Sequence, residues 1–285
     1  MILRLCVSLR AFAPLAIASL IVWGSSLATT ASAAPIDFNT AGDLDANFNH
    51  TATLPFAEAD SVGIGNPASR GLTVTGTADS GATFKTSSLP FDTVGSQVKV
   101  SAFFHTAATL GATGENRIFE LNVVSLNTSI VTGAHSGIGA KLEFGATGGA
   151  DADNVLIRFR RDNADVASSL SATAFDILPN NWYKATFTAT NQGTAAVIPS
   201  SLVLDSYGAT GTSLVGANVF SQSFDIPSEA ALTADPDVFG AFRVRNGTRL
   251  LSAIDNFEQI STVPEPSAWL LALLGCAGVC ARRCW

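Results

Sequence analysis

Between Ala34 and Thr262, apolar and polar side chains alternate one by one, and no stretch sustains a 3.6-residue period. Ile138, Ala140, Leu142 and Phe144 alternate with Gly139, Lys141 and Glu143. The same period of two runs through Val155, Ile157 and Phe159, through Tyr183, Ala185, Phe187 and Ala189, and through Val238, Gly240, Phe242 and Val244. Further strands are predicted at 72–75, 83–86, 98–104, 117–126, 201–207 and 254–260. Asp79-Ser80-Gly81, Thr147-Gly148-Gly149, Asn191-Gln192-Gly193 and Asn246-Gly247 read as the turns between them, the last as a type I′ hairpin turn. Many antiparallel strands at this spacing predict an all-β fold, a two-sheet antiparallel sandwich or jelly roll occupying residues 34–262 as one domain. No internal linker and no fixed-period repeat interrupts it.

The two ends follow a different pattern. Arg4 and Arg10 precede an apolar run from Ala11 to Trp23, and small residues then lead to Ala31-Ser32-Ala33 with Ala34 next. That order predicts a signal peptide over 1–33, too short in its apolar part to span a bilayer and cut after Ala33. At the other end, Val263-Pro264-Glu265-Pro266-Ser267 is followed by an apolar stretch, Ala268 to Ala281, and then by Arg282, Arg283, Cys284 and Trp285. A proline-rich stop, an apolar transmembrane helix of ~21 Å and a basic end predict a marginal membrane anchor, with the arginines on the cytoplasmic side.

This C-terminal arrangement resembles the PEP-CTERM sorting domain of Gram-negative bacteria, over residues 263–285. The resemblance implies export through the secretion translocon and transient anchoring in the inner membrane. An exosortase would then recognise and cut the segment, leaving the protein at the cell surface or in the extracellular matrix. In the body, Asp37-Phe38-Asn39 to Phe48, Asn181-Trp182-Tyr183-Lys184 and Ile254-Asp255-Asn256-Phe257 look like a concanavalin A-like or laminin-G-like sandwich. That likeness implies first and last strands lying side by side, a hairpin after the Trp-Tyr strand, and a carbohydrate-related role.

Composition sharpens once the ends are set aside. The chain of 285 residues is 47% hydrophobic and 14% charged, with a net charge of -7. Without Arg4, Arg10, Glu265, Arg282 and Arg283, the body holds 12 basic and 22 acidic side chains, a net of -10. That balance excludes nucleic acid as a partner, since neutralising phosphates takes clustered Lys and Arg. All four cysteines, Cys6, Cys276, Cys280 and Cys284, lie in the end segments. The exported body must therefore be held by its core and not by disulfides. Trp182 is its single tryptophan.

Catalytic chemistry is sparse. No Gly-x-Ser-x-Gly elbow is present, and His50, His105 and His135 lack zinc spacing. Glycosidases that share the concanavalin A-like fold carry Glu-x-Asp-x-x-Glu on one strand. Here Glu58-Ala59-Asp60 has Gly63 at the third acidic position and follows Pro55 in a segment that reads as a loop. The expectation is a non-catalytic structural or polysaccharide-binding protein, with a polysaccharide-active hydrolase or lyase as the alternative. Trp182, Tyr183 and Tyr207 are the candidate sugar platforms, although alternation puts Trp182 and Tyr183 on opposite faces. Arg158 and Arg160 share a face and are candidates for an anionic polysaccharide. No cofactor is required. Calcium is the candidate metal, at Asp151, Asp153 and Asn154 and at Asp235 and Asp237, because oxygen-rich turns suit a hard cation.

Overall fold

The fold is a computed structural model that describes residues 28–50, 56–65, 68–75, 79–108, 110, 117–127, 136–145, 154–162, 164–193, 196–235, 237–245 and 251–264. The chain divides into two compact units. One is Thr30–Val263; the other, Met1–Thr29 with Pro264–Trp285, contributes only residues 28, 29 and 264 to the described set. The predicted apolar helix at 268–281, Glu265, Pro266, Ser267, Arg282 and Arg283 therefore lie outside it. Among the described residues, no helix is long and apolar enough to cross a membrane.

The strands in chain order are β1 (Ala28–Ser32), β2 (Phe48–His50), β3 (Phe56–Ala59), β4 (Gly71–Val74), β5 (Ser80–Phe84), β6 (Gln97–Thr106), β7 (Arg117–Val124) and β8 (Gly137–Phe144). They continue with β9 (Asn154–Arg161), β10 (Ala164–Asp165), β11 (Phe175–Asp176), β12 (Trp182–Thr190), β13 (Val197–Gly208), β14 (Gly216–Pro227), β15 (Phe239–Arg245) and β16 (Leu251–Pro264). Two short helices, α1 (Asp43–Asn47) and α2 (Ala230–Thr233), sit in connections. Sheet 1 runs β14-β13-β12-β6-β16-β4-β3, with β1 also pairing β16. Sheet 2 runs β10-β9-β8-β7-β15-β5-β2, with β11 also pairing β9. Every strand pair with a defined register is antiparallel, so the predicted two-sheet sandwich is the observed fold.

Alternation dictates the layers. On β6, Val98, Val100, Ala102 and Phe104 are buried; on β12, Tyr183, Ala185, Phe187 and Ala189; on β8, Ile138, Ala140, Leu142 and Phe144. These inward sets meet between the sheets in one hydrophobic core. The strongest tie is aromatic. Phe48 of sheet 2 lies 5.2 Å from Phe257 of sheet 1, 5.4 Å from Phe84 and 5.6 Å from Phe242, all edge-on. The first and last segments of the sandwich do lie side by side: Ile36 and Phe257 exchange backbone hydrogen bonds of 2.8 and 2.9 Å.

Three expectations need correction. Asn246-Gly247, read as a hairpin turn, falls outside the described residues, but the strands that flank it do not pair with each other. β15 and β16, on either side of it, belong to different sheets, and each already pairs on both flanks. Ser80 and Gly81, read as a turn, are inside β5, where they pair with Val244 and Arg243. Glu58 and Ala59, read as loop, are on β3, because Phe56 is buried and the segment pairs with β4.

Candidate functional site

The outer face of sheet 1 gathers what alternation left out of the core. Register puts His105 beside Trp182, Phe103 beside Lys184, Ser101 beside Thr186, Lys99 beside Thr188 and Gln97 beside Thr190. Thr188 in turn faces Ser201 on β13. The face is thus aromatic at one end of β12 and rich in hydroxyls at the other.

At the aromatic end, a cavity of about 370 Å³ is lined by His105, Trp182, Ser252 and Thr73, with Ser61, Val62, Gly63, Gly65 and Ala68 forming a loop wall. His105 Nδ1 is 2.5 Å from the Ser252 hydroxyl, and its ring lies 5.1 Å from the Trp182 ring. Ser252 projects because the β16–β6 register slips between Leu251 and Ala253. Burial pushes the His105 imidazole below its ordinary pKa, partly offset by a hydrogen bond to the Asn180 carbonyl, so the ring is uncharged at neutral pH. Trp182 is only 3% exposed. Gly211 lies against it so closely that a Cβ there would sit 2.9 Å from Trp182 Cγ. The indole is therefore a fixed edge of the cavity and not an open platform.

The loop wall is fastened from beneath. The Ile64 amide donates to Asp255 Oδ2 at 2.8 Å, and the Asn256 amide to Oδ1 at 2.7 Å. The Gly65 amide donates to the Thr210 carbonyl at 3.0 Å, joining the two loops that flank Trp182. Asp255 is buried, and desolvation raises its pKa to about 6 against the pull of the Ile64 and Asn256 amides, with the Asp37 charge adding to the rise. The folded state therefore holds this proton more tightly than the unfolded chain. Its stabilisation is complete below pH ~3.8 and lost as pH climbs through about 6, after which the ionised carboxylate costs about 3 kcal/mol. Thermal melts between pH 4 and 7 are expected to show this fall in the wild-type protein and not in Asp255→Asn; parallel curves would refute the assignment.

Beside the cavity, the Phe103 and Tyr207 rings meet edge to face at 4.8 Å, and Lys184 Nζ sits 5.6 Å above Phe103. Tyr207 is the extra residue of a bulge, since register passes from Gly208 opposite Trp182 to Ser206 opposite Tyr183. Of the three candidate aromatics, the structure thus brings Trp182 and Tyr207 to one face. Tyr183 is in the core, stacked 5.7 Å from Phe104, and its phenol oxygen accepts the Leu178 amide at 3.0 Å. Phe103, His105 and Ser252 were not singled out from sequence. Ser252 and His105 are 147 residues apart, and no local pattern links them.

Arg158 and Arg160 lie on the other sheet. There, four cations meet four carboxylates on the outer face. Arg243 pairs with Asp79 at 2.5 Å and Glu120 at 3.2 Å, and Arg160 pairs with Glu120 at 2.6 Å and Asp165 at 3.2 Å. Lys141 pairs with Asp165 at 2.8 Å and Glu143 at 2.6 Å, and Arg158 pairs with Glu143 at 3.0 Å. Glu120, Lys141, Glu143 and Arg160 are buried. Both arginines are thus already matched by neighbouring carboxylates.

Other candidates are placed as follows. Glu58 accepts the Gly42 and Leu44 amides at 2.6 and 2.7 Å and pairs with Arg70, which also binds Asp60 at 2.7 Å. Burial alone would raise the Glu58 pKa, but those amides and Arg70 hold it below its ordinary value. Glu58 thus ties the start of α1 to β3, and Asp60 holds Arg70 from the other side. Asp151 and Asp153 lie outside the described residues. Asn154 begins β9 opposite Asp176. Asp235 accepts the Asp237 amide at 3.0 Å, and Asp237 accepts the Ser88 hydroxyl at 2.6 Å. Among the described residues, no group of three or more His, Cys, Asp or Glu comes together as metal ligands. Ala31 is in β1, Ala33 donates to the Gln259 carbonyl at 3.3 Å, and Ala34 follows. Val263 and Pro264 close β16.

No family model and no curated protein matches the chain. Among solved structures, it is similar to a lectin from Bauhinia forficata in complex with GalNAc, at 11% identity and a TM-score of 0.48, over 83% of this chain and 100% of that one. It is similar to a peanut lectin at 9% identity and a TM-score of 0.47, over 82% and 98%. A third is the CBM2 module of the Lactobacillus casei BL23 phage J-1 evolved Dit protein, at 13% identity and a TM-score of 0.46, over 83% and 97%. At such identities and TM-scores, no residue's role is carried over.

Proposed function

We propose that the chain is an exported surface or matrix protein whose sandwich binds extracellular polysaccharide without transforming it. In this reading the secretion translocon exports it, and an exosortase processes its C-terminal segment at the inner membrane. The observation that carries the binding role is the outer face of sheet 1. There a cavity with a neutral imidazole, a hydroxyl and an indole edge opens beside the Phe103–Tyr207 pair. Hydroxyls and a neutral imidazole both donate and accept, which suits a ligand made of hydroxyls, and ring faces suit its C–H surfaces. β16 reaches Pro264, so removal of residues 265–285 leaves every described strand in place.

Protein recovered from outside the producing cells is expected to have lost an epitope fused after Trp285 and to bind a subset of glycans on an array. An intact epitope on the surface form would end the sorting reading. Silence across the whole array would end the binding one.

A further inference from the structure

The face that carries the cavity has a second concavity at its far end. Gln97, Thr188, Thr190, Ser201, Ser223 and Asp225 line a hollow of about 200 Å³. Both hollows lie on the same side of sheet 1, one at each end of β12. Along β12, Trp182 and Thr190 are separated by about 26 Å at ~3.3 Å per residue. The second hollow is smaller than the ~300–1,000 Å³ of an enclosed small-molecule pocket, so by itself it holds little. Together the two bracket a strip that is several pyranose units long.

What lies between them passes from aromatic to hydroxyl-bearing side chains, with no surplus of either charge. From the His105 end, the strip passes the Phe103–Tyr207 pair, then Thr186 beside the buried Ser101, then Thr188 opposite Ser201. At the last row, the Gln97 amide donates to the Thr190 hydroxyl at 3.3 Å. Charges on the strip are of both signs and partly consume one another. Lys184 is 3.5 Å from Glu258, and Asp205 accepts the Asn218 amide at 2.7 Å. Lys99 and Asp225 stand exposed with opposite sign near the far end. A polyanion would meet no surplus of cations here, whereas an uncharged chain of hydroxyl-bearing rings meets hydroxyl and amide partners along its length. The strands beneath are fixed on their inner face by the core and along their edges by the strand ladder, so the two grips are held at constant spacing.

We infer that the outer face of sheet 1 is a track for an extended internal stretch of an uncharged polysaccharide, gripped at both ends of β12, and not a pocket for a single terminal sugar. The inference rests on the binding reading above and adds the ligand's charge, its extended form and the two points of grip.

The test uses the purified full chain in detergent and three oligosaccharide ladders. Two are neutral, from a glucan and from an N-acetylglucosamine polymer, and one is an anionic uronate ladder. Calorimetric affinity for a neutral ladder is expected to rise with length and level off once the oligomer spans both hollows. Ser252→Ala at one end and Thr188→Val with Ser201→Ala at the other are each expected to weaken the longest oligomer about tenfold and leave the shortest nearly unchanged. These side chains are partly or fully exposed, and unchanged melting temperatures verify the fold. If a monosaccharide binds as tightly as the longest oligomer, or if only one end's variant has an effect, the track is wrong while glycan binding stands. If the uronate ladder binds tightest, the uncharged-ligand assignment is overturned. If no ladder and no arrayed glycan binds, the binding reading fails and takes the track with it.

Discussion

Replacing Phe48 with alanine is expected to destabilise the protein by about 3–5 kcal/mol, the range for truncating a buried aromatic. Phe48 is 1% exposed and stands among Phe38, Phe84, Phe242 and Phe257, with ring centroids between 5.2 and 5.9 Å away. It belongs to a three-residue strand at the margin of sheet 2, yet it touches Phe257 of sheet 1. The cost therefore comes from a cavity at the joint between layers, where neither sheet can shift without disturbing the other. For a domain of this size, the fall in melting temperature should be about 6–20 °C by calorimetry. Val94→Ala, at a side chain 65% exposed, should change stability by less than about 0.5 kcal/mol. A Phe48→Ala variant melting within a few degrees of wild type would show that the aromatic cluster repacks.

Glu120→Ala should cost a similar amount for a different reason. Glu120 is 1% exposed and accepts from Arg160 at 2.6 Å and Arg243 at 3.2 Å. Removing it leaves two guanidinium groups on a buried face with one carboxylate fewer, a loss of about 3–5 kcal/mol in urea unfolding. Screening reaches buried pairs poorly, so added salt should not recover the loss. Asp60→Ala, which breaks a 2.7 Å pair with Arg70 at a carboxylate 85% exposed, should cost no more than about 1 kcal/mol. Equal effects from the two variants would mean that the network on sheet 2 is solvated and worth little. Glycan binding on sheet 1 should be unaffected in Glu120→Ala, because the network and the track lie on opposite layers.

The longest alternating segments were legible because a half-buried strand writes its period directly into the side chains. β8, β9, β12 and β15 fall where Ile138–Phe144, Val155–Phe159, Tyr183–Ala189 and Val238–Val244 alternate. β14 was missed although Phe220, Gln222, Phe224 and Ile226 alternate with Ser221, Ser223 and Asp225. As an edge strand pairing only β13, it needs little apolar character, and its serines and glutamine mask the period. β2 and β3 are too short to show any period, and they are defined by partners far along the chain.

The candidate site was legible only in part, and for a reason that generalises. Alternation separates Trp182 from Tyr183, and the structure places them on opposite faces. It cannot say which outer faces lie together. Trp182 and Tyr207 share a face because β12 and β13 form a hairpin with a bulge at Tyr207. His105 and Ser252 complete the cavity because β16 returns to pair with β6. Arg158 and Arg160 share a face too, but that face belongs to the other sheet, where carboxylates from β7, β8 and β10 neutralise them.

The sequence by itself determined the kind of element, the inward set of each long strand and the disulfide-free core, since these depend on neighbours in the chain. Only the tertiary structure decided which strands pair, which layer each charge occupies and where a cavity opens. Those outcomes are set by hydrogen-bond register between segments far apart along the chain, as between Ile36 and Phe257. A period of two is blind to that register.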